Sequence, residues 1–188
     1  MVGLFATKQV KTEQESSIFT HLWSSIWLEQ NYATLEDLEE IKRHYAIYDG
    51  WSSDFLLLSD KKEVGTARVI WENSQGFPTL TDFRTTSLFS PKSDLCEVTL
   101  LTVHRDHRRQ GSEAALTLIV AMYQKAMKEK KISGVLIAAD HRLWILLRRL
   151  GLRFTQIGQS RMYEGSETIP GHILMQDVGS ALYRHGLI

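Results

Sequence analysis

The sequence is short of several things, and each shortage excludes something. It has one cysteine, Cys96, so neither an internal disulfide nor a cysteine-based zinc cluster can form. Its 3 prolines are too few for a polyproline linker. It has no excess of either charge, since 22 Lys plus Arg offset 22 Asp plus Glu. That argues against a chain basic throughout that binds nucleic acid through bulk charge, and against a disordered polyelectrolyte. No apolar run reaches the roughly 18 residues of a membrane span. Residues 1–10, MVGLFATKQV, lack the basic start and apolar core of a signal peptide. The 7 histidines show no ligand spacing such as H-x-x-x-H, so no metal site is expected. What is present is 188 residues, 43% hydrophobic and 23% charged, which are ordinary globular values. The expectation is a single cytoplasmic domain over 1–188, with neither nucleic acid nor membrane as partner.

Apolar spacing predicts the elements. Residues 2–9 read as a strand. Ile18, Phe19, Leu22, Trp23, Ile26 and Trp27 recur at helical spacing and predict a helix over 13–30. Thr34, with Asp37 three residues on, caps a second helix that runs to about His44. Residues 51–54 read as a polar turn. Residues 55–59 and 64–71 form a hairpin around Asp60-Lys61-Lys62. Residues 73–78 read as a loop and 83–93 as irregular. Residues 95–104 are a long apolar strand, 105–111 a basic loop, and 112–131 a helix with a wide apolar face. A buried strand over 134–139, a helix over 142–150 ended by Gly151, strands over 154–157 and 169–175, and a helix over 176–183 complete the chain. The order is α/β (α+β): an antiparallel hairpin, then strand-helix-strand-helix-strand.

The stretch from Leu95 to Leu118 carries the strongest chemical signal. A strand runs into Arg105-Asp106-His107-Arg108-Arg109-Gln110-Gly111-Ser112, where a helix opens. Helix N-termini leave N–H groups free and carry partial positive charge. Arg108 and Arg109 beside one make an anion site, with Gly111 permitting close backbone approach. By composition alone, a solvated basic turn explains these residues equally well.

The full pattern from Val103 to Gly111 resembles the pyrophosphate loop of the GNAT superfamily of N-acetyltransferases, in which a basic R-x-x-G-x-G/A segment opens a helix. Leu147-Arg148-Arg149-Leu150-Gly151-Leu152 resembles the end of that family's fourth helix. Two positions depart from it: Glu113 stands where the family prefers a small residue, and Leu147 where many members carry an acid tyrosine. Both argue against a standard acetyl-coenzyme A enzyme.

Four other segments, in the same order, resemble one branch, the acyl-homoserine-lactone (autoinducer) synthases and the long-chain N-acyl amino acid synthases. They are Tyr48-Asp49-Gly50-Trp51-Ser52-Ser53-Asp54-Phe55-Leu56, Glu63-Val64-Gly65-Thr66-Ala67-Arg68, Cys96-Glu97-Val98-Thr99-Leu100-Leu101-Thr102-Val103, and Gly158 to Gly165 with Pro170 beyond. The resemblance implies a GNAT-like fold, a mixed central sheet flanked by helices. It also implies a fatty acyl donor on acyl carrier protein, held as a phosphopantetheine thioester, or on coenzyme A. No cofactor would be bound permanently.

It further implies site residues. Glu97 is a carboxylate in an apolar strand, and Arg68 in a neighbouring strand is its expected partner. As isolated residues the two read equally as a buried structural ion pair; in the family the matching residues belong to the active site. Leu101 and Val103, with Arg108, Arg109, Gln110, Gly111 and Ser112, would hold the donor's phosphopantetheine, and backbone amides in the 101–103 part of the strand would meet the oxyanion. Trp27, Asp49, Trp51, Arg84 and Tyr163 are candidates for the acceptor or acyl pocket. Arg84 or Arg161 would meet the carboxylate of an amino acid. Ala46 replaces an acidic residue of the autoinducer synthases, and their first-helix arginine has no counterpart between Phe19 and Trp27. Both points favour an amino acid or similar small amine over S-adenosylmethionine.

The tryptophans read mostly as core. Arg142, Arg148, Arg149 and Arg153 read as a solvated face or as a dock for an acidic carrier protein. The expected function is therefore fatty N-acyl transfer to a small amine. The alternatives are an acetyl- or acyl-coenzyme A-dependent N-acetyltransferase and a non-catalytic binding module of the same fold. The neutral total hides a partition that suits such a donor: residues 97–160 hold 11 Lys plus Arg against 5 Asp plus Glu, and the remainder is acidic to the same extent.

Overall fold

The computed structural model describes residues 4–86, 94–108 and 112–188. The chain opens with β1 (Phe5–Gln9), α1 (Glu13–Glu29) and α2 (Leu35–Ala46). Both helices start on a capping box, the second at the Thr34 and Asp37 expected from the sequence, the first at Thr12 and Glu15. Thr12 accepts from the Glu15 amide, and Thr34 from that of Asp37. Each cap is worth about 1 kcal/mol. A 3-10 turn (Asp49–Trp51) leads into β2 (Ser52–Ser59), β3 (Lys62–Trp71) and the single turn α3 (Pro78–Thr81). Then come β4 (Leu95–Val103), the short turn α4 (Arg105–Arg108) and α5 (Glu113–Lys125), which runs into a π turn (Ala126–Lys130). The chain ends with β5 (Gly134–Asp140), α6 (His141–Arg149), β6 (Thr155–Gln156), β7 (Arg161–Tyr163), β8 (Ser166–Leu174) and α7 (Met175–Arg184).

The eight strands form one sheet in the order β1-β2-β3-β4-β5-β8-β6, with β7 paired to β8. Every pairing is antiparallel except β4 with β5. One face packs on α5, α6 and α7 through Val98, Leu118, Ile119, Leu147 and Val178. The other packs on α1 and α2 through Phe19, Trp23, Trp27, Tyr45 and Leu56. Two layers of helix thus bury both faces, which is why the central strands read as near-continuous apolar runs.

Four expectations need correcting. The polar turn expected at 51–54 is instead the start of β2. Ser53 accepts from Trp71 Nε1 at 3.2 Å and Asp54 binds Arg68, so these polar residues are strand residues with cross-strand partners. The loop at 73–78 ends in α3, where Pro78 takes the first helical position that suits its fixed φ. The basic loop at 105–111 begins as the helical turn α4, held by Arg108 Nε donating to Val103 O at 2.6 Å. Strand β7 was not expected at all. It pairs with β8 through a two-residue turn with Tyr163 opposite Ser166, and Glu164 (φ 47°) and Gly165 (φ 71°) are both left-handed. That is a type I′ hairpin made by Glu-Gly instead of the usual Asn-Gly.

Candidate active site

Strand β4 does not run true. Cys96 and Val98 face the α5 core, but so do Leu101 and Val103, so the inward alternation slips by one residue. The slip is a bulge: Leu100 has φ 50° and lies between the positions paired to β3, whose register shifts between Thr66 and Arg68. A leucine in this left-handed region is strained, by about 1–2 kcal/mol. The bulge is pinned by Thr66, fully buried, whose Oγ1 donates to Leu100 O at 2.8 Å and lies 2.8 Å from Thr102 Oγ1. Gly65 lets the strands close here, because a Cβ would sit 2.5 Å from Thr102 O. The Val64-Gly65-Thr66 motif is thus the partner of the bulge.

Parallel pairing of β4 with β5 ends at Glu97–Leu136, just before the bulge. Beyond it β5 stays with β8 while β4 stays with β3, and the sheet splits. A cleft of about 350 Å³ occupies the split, lined by residues 97–103 of β4, Ile137, Ala138 and Asp140 of β5, and Ala114 and Ala115 at the start of α5. The β5-facing edge of β4 has no strand partner there among the described residues, so its backbone groups face the cleft. A smaller apolar cavity of about 50 Å³ lies beneath it, among Ile119, Met122, Tyr123, Leu147 and Met175. Val98, Leu101 and Ile137 line both and form the wall the two spaces share. Cys96 lines the smaller cavity, and burial pushes its thiol up to about 12, which makes it inert.

The two ends of the cleft differ in charge. Glu97 lies at the paired end, 1% exposed. Its carboxylate accepts the Thr79 amide on both oxygens at 3.0 and 3.1 Å and the Thr79 hydroxyl at 2.8 Å, which caps α3. Burial pushes it up to about 8, against those bonds and with help from the nearby Asp82 and Glu164. Glu164 lines the same end. It accepts from Tyr45 Oη at 3.2 Å, and burial pushes it too up to about 8. Tyr45 in turn accepts from Thr99 at 3.1 Å, and Tyr163 donates to Asp82 at 2.7 Å. At the far end, about 20 Å along the strand, Arg108 and Arg142 line the cleft. Arg108 Nη1 lies 3.6 Å from Glu29, while its buried Nη2 has no hydrogen-bond partner among the described residues. Tyr32 donates to Asp140 across this side, and Asp140 also caps α6 through the Leu143 amide at 2.7 Å.

Of the residues expected from the sequence, Glu97, Leu101, Val103, Arg108, Trp27 and Tyr163 line the cleft. Ser112 stands half-buried at the start of α5, and Arg109, Gln110 and Gly111 lie outside the described residues. The expected Arg68–Glu97 pair does not form. Arg68 lies directly across from Asp54 and grips it bidentately, at 2.7 Å for each bond. Its remaining donors reach Asp49 at 2.9 Å and Tyr45 O at 2.8 Å. Register decides this, since Glu97 faces Ile70 on β3 while Arg68 faces Thr99. Asp49 is spent on Arg68 outside the cleft lining. Trp51, 42% exposed at the end of the 3-10 turn, does not line the cleft, and neither does the exposed Arg84. Arg161 stacks on Phe83 and Tyr163 at 5.0 and 5.2 Å. The sequence reading passed over Tyr45, Thr79, Asp140 and Glu164. Glu164 alone left a trace, as the middle residue of the Tyr163-Glu164-Gly165 motif. Among the described residues no group of three His, Cys, Asp or Glu is placed to hold a metal ion, and no helix is long and apolar enough to cross a membrane.

The sequence that builds this cleft has a match among protein families. The family model of the N-acyl amino acid synthase FeeM matches residues 29–177. The chain belongs to the FeeM-type N-acyl amino acid synthase family. It is an acyltransferase. The structure of FeeM, an N-acyl amino acid synthase from uncultured soil microbes, superposes with a TM-score of 0.70 at 18% identity over 98% of both chains. The structure of BjaI, a coenzyme A-dependent acyl-homoserine lactone synthase, gives 0.67 at 16% identity over 97% of this chain and 90% of that one. Spermidine N-acetyltransferase from Vibrio cholerae gives 0.57 at 15% identity over 93% and 98%. At such identities these structures establish the GNAT-like fold alone. No curated protein matches the sequence.

Proposed function

We propose that this acyltransferase moves a fatty acyl group from the phosphopantetheine arm of acyl carrier protein to the amine of an amino acid or similar small molecule. The observation that carries the reading is the apolar cavity that adjoins the cleft across Val98, Leu101 and Ile137. An acetyl group needs no such cavity; a longer chain does. The thioester carbonyl lies at the bulge, where amides around Leu101 to Val103 meet the oxyanion, a contact worth about 3–4 kcal/mol per donor. The donor phosphate lies at the far end, where the unpartnered Nη2 of Arg108 suits it. The exposed arginines of and beside α6, Arg142, Arg148, Arg149 and Arg153, meet the acidic carrier. The acceptor enters at the Glu97–Glu164 end, where a carboxylate takes the proton the amine must lose. Arg68 is a positioning residue: it fixes Tyr45 through its carbonyl, and Tyr45 lines the cleft.

Coenzyme A is the second reading for the donor, favoured by Arg108 and Arg142 lining one end of the cleft together. The test incubates the protein with a decanoyl group on acyl carrier protein or on coenzyme A, with a mixture of the twenty amino acids, and follows N-acyl products by mass spectrometry. Product from the carrier-bound donor is expected, with a rate that falls as salt rises. Faster reaction with decanoyl-coenzyme A would transfer the donor role, and acetyl-coenzyme A as the sole substrate would remove the fatty acyl reading.

A further inference from the structure

Two carboxylates border the acceptor end, and their surroundings are not alike. The lone pairs of Glu97 are engaged by the amide and hydroxyl of Thr79, so it serves as the cap of α3. Glu164 accepts from one phenol, Tyr45 Oη at 3.2 Å, and keeps carboxylate capacity free. It also forms the partition between two spaces. It lines the cleft, and it lines a polar cavity of about 450 Å³ bounded by Asp37, Glu40, His44 and Asp82. Its backbone is held in place for this. Glu164 has φ 47°, an uncommon conformation for such a residue, and Gly165 beside it packs so closely that a Cβ would lie 2.6 Å from Asn31 O.

We infer that Glu164 is the group that takes the proton from the acceptor amine and passes it to the polar cavity, while Glu97 holds the wall of the cleft. This rests on the acyl-transfer reading above. The balance is simple. The ammonium R–NH3+ gives one proton to the Glu164 carboxylate, and the nitrogen lone pair then attacks the thioester carbon. A C–N bond forms, the tetrahedral oxyanion collapses, and the C–S bond breaks. The second amine proton goes to the departing thiolate. The products are the amide, the free thiol of the donor arm and one proton, which Glu164 releases on the side of His44 and Asp82. Asp82 Oδ2 is 3.5 Å from His44 Nε2 and accepts from Tyr163, so a charged and phenolic surface meets it there. The groups that face Glu164 are Tyr45, His44 and Glu40 from α2, Glu97 from β4, Tyr163 from β7, and Asp82. None of the described residues lining the polar cavity is Lys or Arg. Burial, with the nearby Asp82, pushes Glu164 up to about 8, close to a working pH for a base.

The test compares the wild type with Glu164→Gln and Glu97→Gln, using decanoyl donor and two kinds of acceptor: the amino acid mixture, and hydroxylamine, which is neutral at neutral pH and needs no base. If the wild type forms no N-acyl product, the acyl-transfer reading falls and this inference with it. Given product, Glu164→Gln is expected to lower kcat with amino acids by about 100-fold or more and to move the acidic limb of the pH–rate profile up to the ionisation of the acceptor amine itself, while hydroxylamine turnover stays within about tenfold. Glu97→Gln is expected to keep the acidic limb. The inference is overturned if Glu164→Gln leaves that limb at its wild-type position, or loses hydroxylamine and amino acid turnover equally. Should Glu164→Gln not fold, Glu164→Asp retains a carboxylate but withdraws it. A lowered kcat with the limb intact is expected, and an unaltered kcat overturns the inference.

Discussion

The Glu97 end and the Arg108 end of the cleft are built in opposite ways. The first is braced. Arg68, 5% exposed, holds Asp54, Asp49 and the Tyr45 carbonyl together, and Tyr45 and Thr79 hold the two glutamates. The second is left open, with a guanidinium nitrogen buried among neighbours that do not satisfy it. A satisfied buried network is rigid, and an unsatisfied donor is costly until a ligand arrives. The difference teaches that the Glu97 end is preorganised by the protein, and that the Arg108 end is left for a ligand to complete.

Four experiments break or sharpen that contrast. Removing the brace has the largest effect. Arg68→Met strands two carboxylates, and chemical denaturation should register a loss of about 3–5 kcal/mol; a loss below about 1 kcal/mol would mean the end is not braced by this residue. Next is the pH dependence of stability. The folded Glu97 carboxyl keeps its proton up to about pH 8, while the unfolded chain ionises near the ordinary 4.5. Its contribution is therefore complete below pH 4.5 and is lost as pH rises toward about 8. Thermal melts across that window should show Tm falling with pH, and Glu97→Gln should lessen the fall, leaving the part that Glu164, likewise pushed up to about 8, contributes. A Tm that rises through the window in the wild type would contradict the assignment.

Thr66→Val tests the bulge on which both ends depend. It leaves Leu100 O without its donor, at a cost of about 1–3 kcal/mol, with kcat lowered more than KM is raised. Equal stability with full kcat would show that β4 keeps its bulge without Thr66. The smallest stability effect belongs to Arg108→Met. Its bond to Val103 O is worth about 0.5–1.5 kcal/mol, but KM for the acyl donor should rise about tenfold, a change of about 1.4 kcal/mol in binding. An unchanged KM would remove Arg108 from the donor site.

Much of this was legible in the chain. Thr34 and Asp37 announce the start of α2, and the helical spacing from Ile18 to Trp27 announces α1, because capping and periodicity are local. The collinear motifs led to the family, and Glu97 was visible as a charge inside an apolar strand. Its partner was not. The choice of Thr79 over Arg68 depends on register between β3 and β4 and on where a single turn beginning at Pro78 happens to pack. Trp51 and Arg84 were chosen for their chemistry and are placed outside the cleft by the turns that carry them. Glu164 was hidden because a Glu-Gly turn is a weak hairpin signal.

By itself the sequence determined the order of strands and helices, the caps, the apolar β4 and the family motifs, including the basic loop. These follow from near neighbours along the chain, whose spacing and propensity can be read directly. Only the tertiary structure decided the site. It put a left-handed Leu100 in β4 to part it from β5, set the cleft beside an apolar cavity, and divided the charges of a neutral chain between the cleft's two ends. Those outcomes rest on contacts between residues far apart in sequence, such as Thr66 with Leu100 and Tyr45 with Glu164, and no local pattern encodes them.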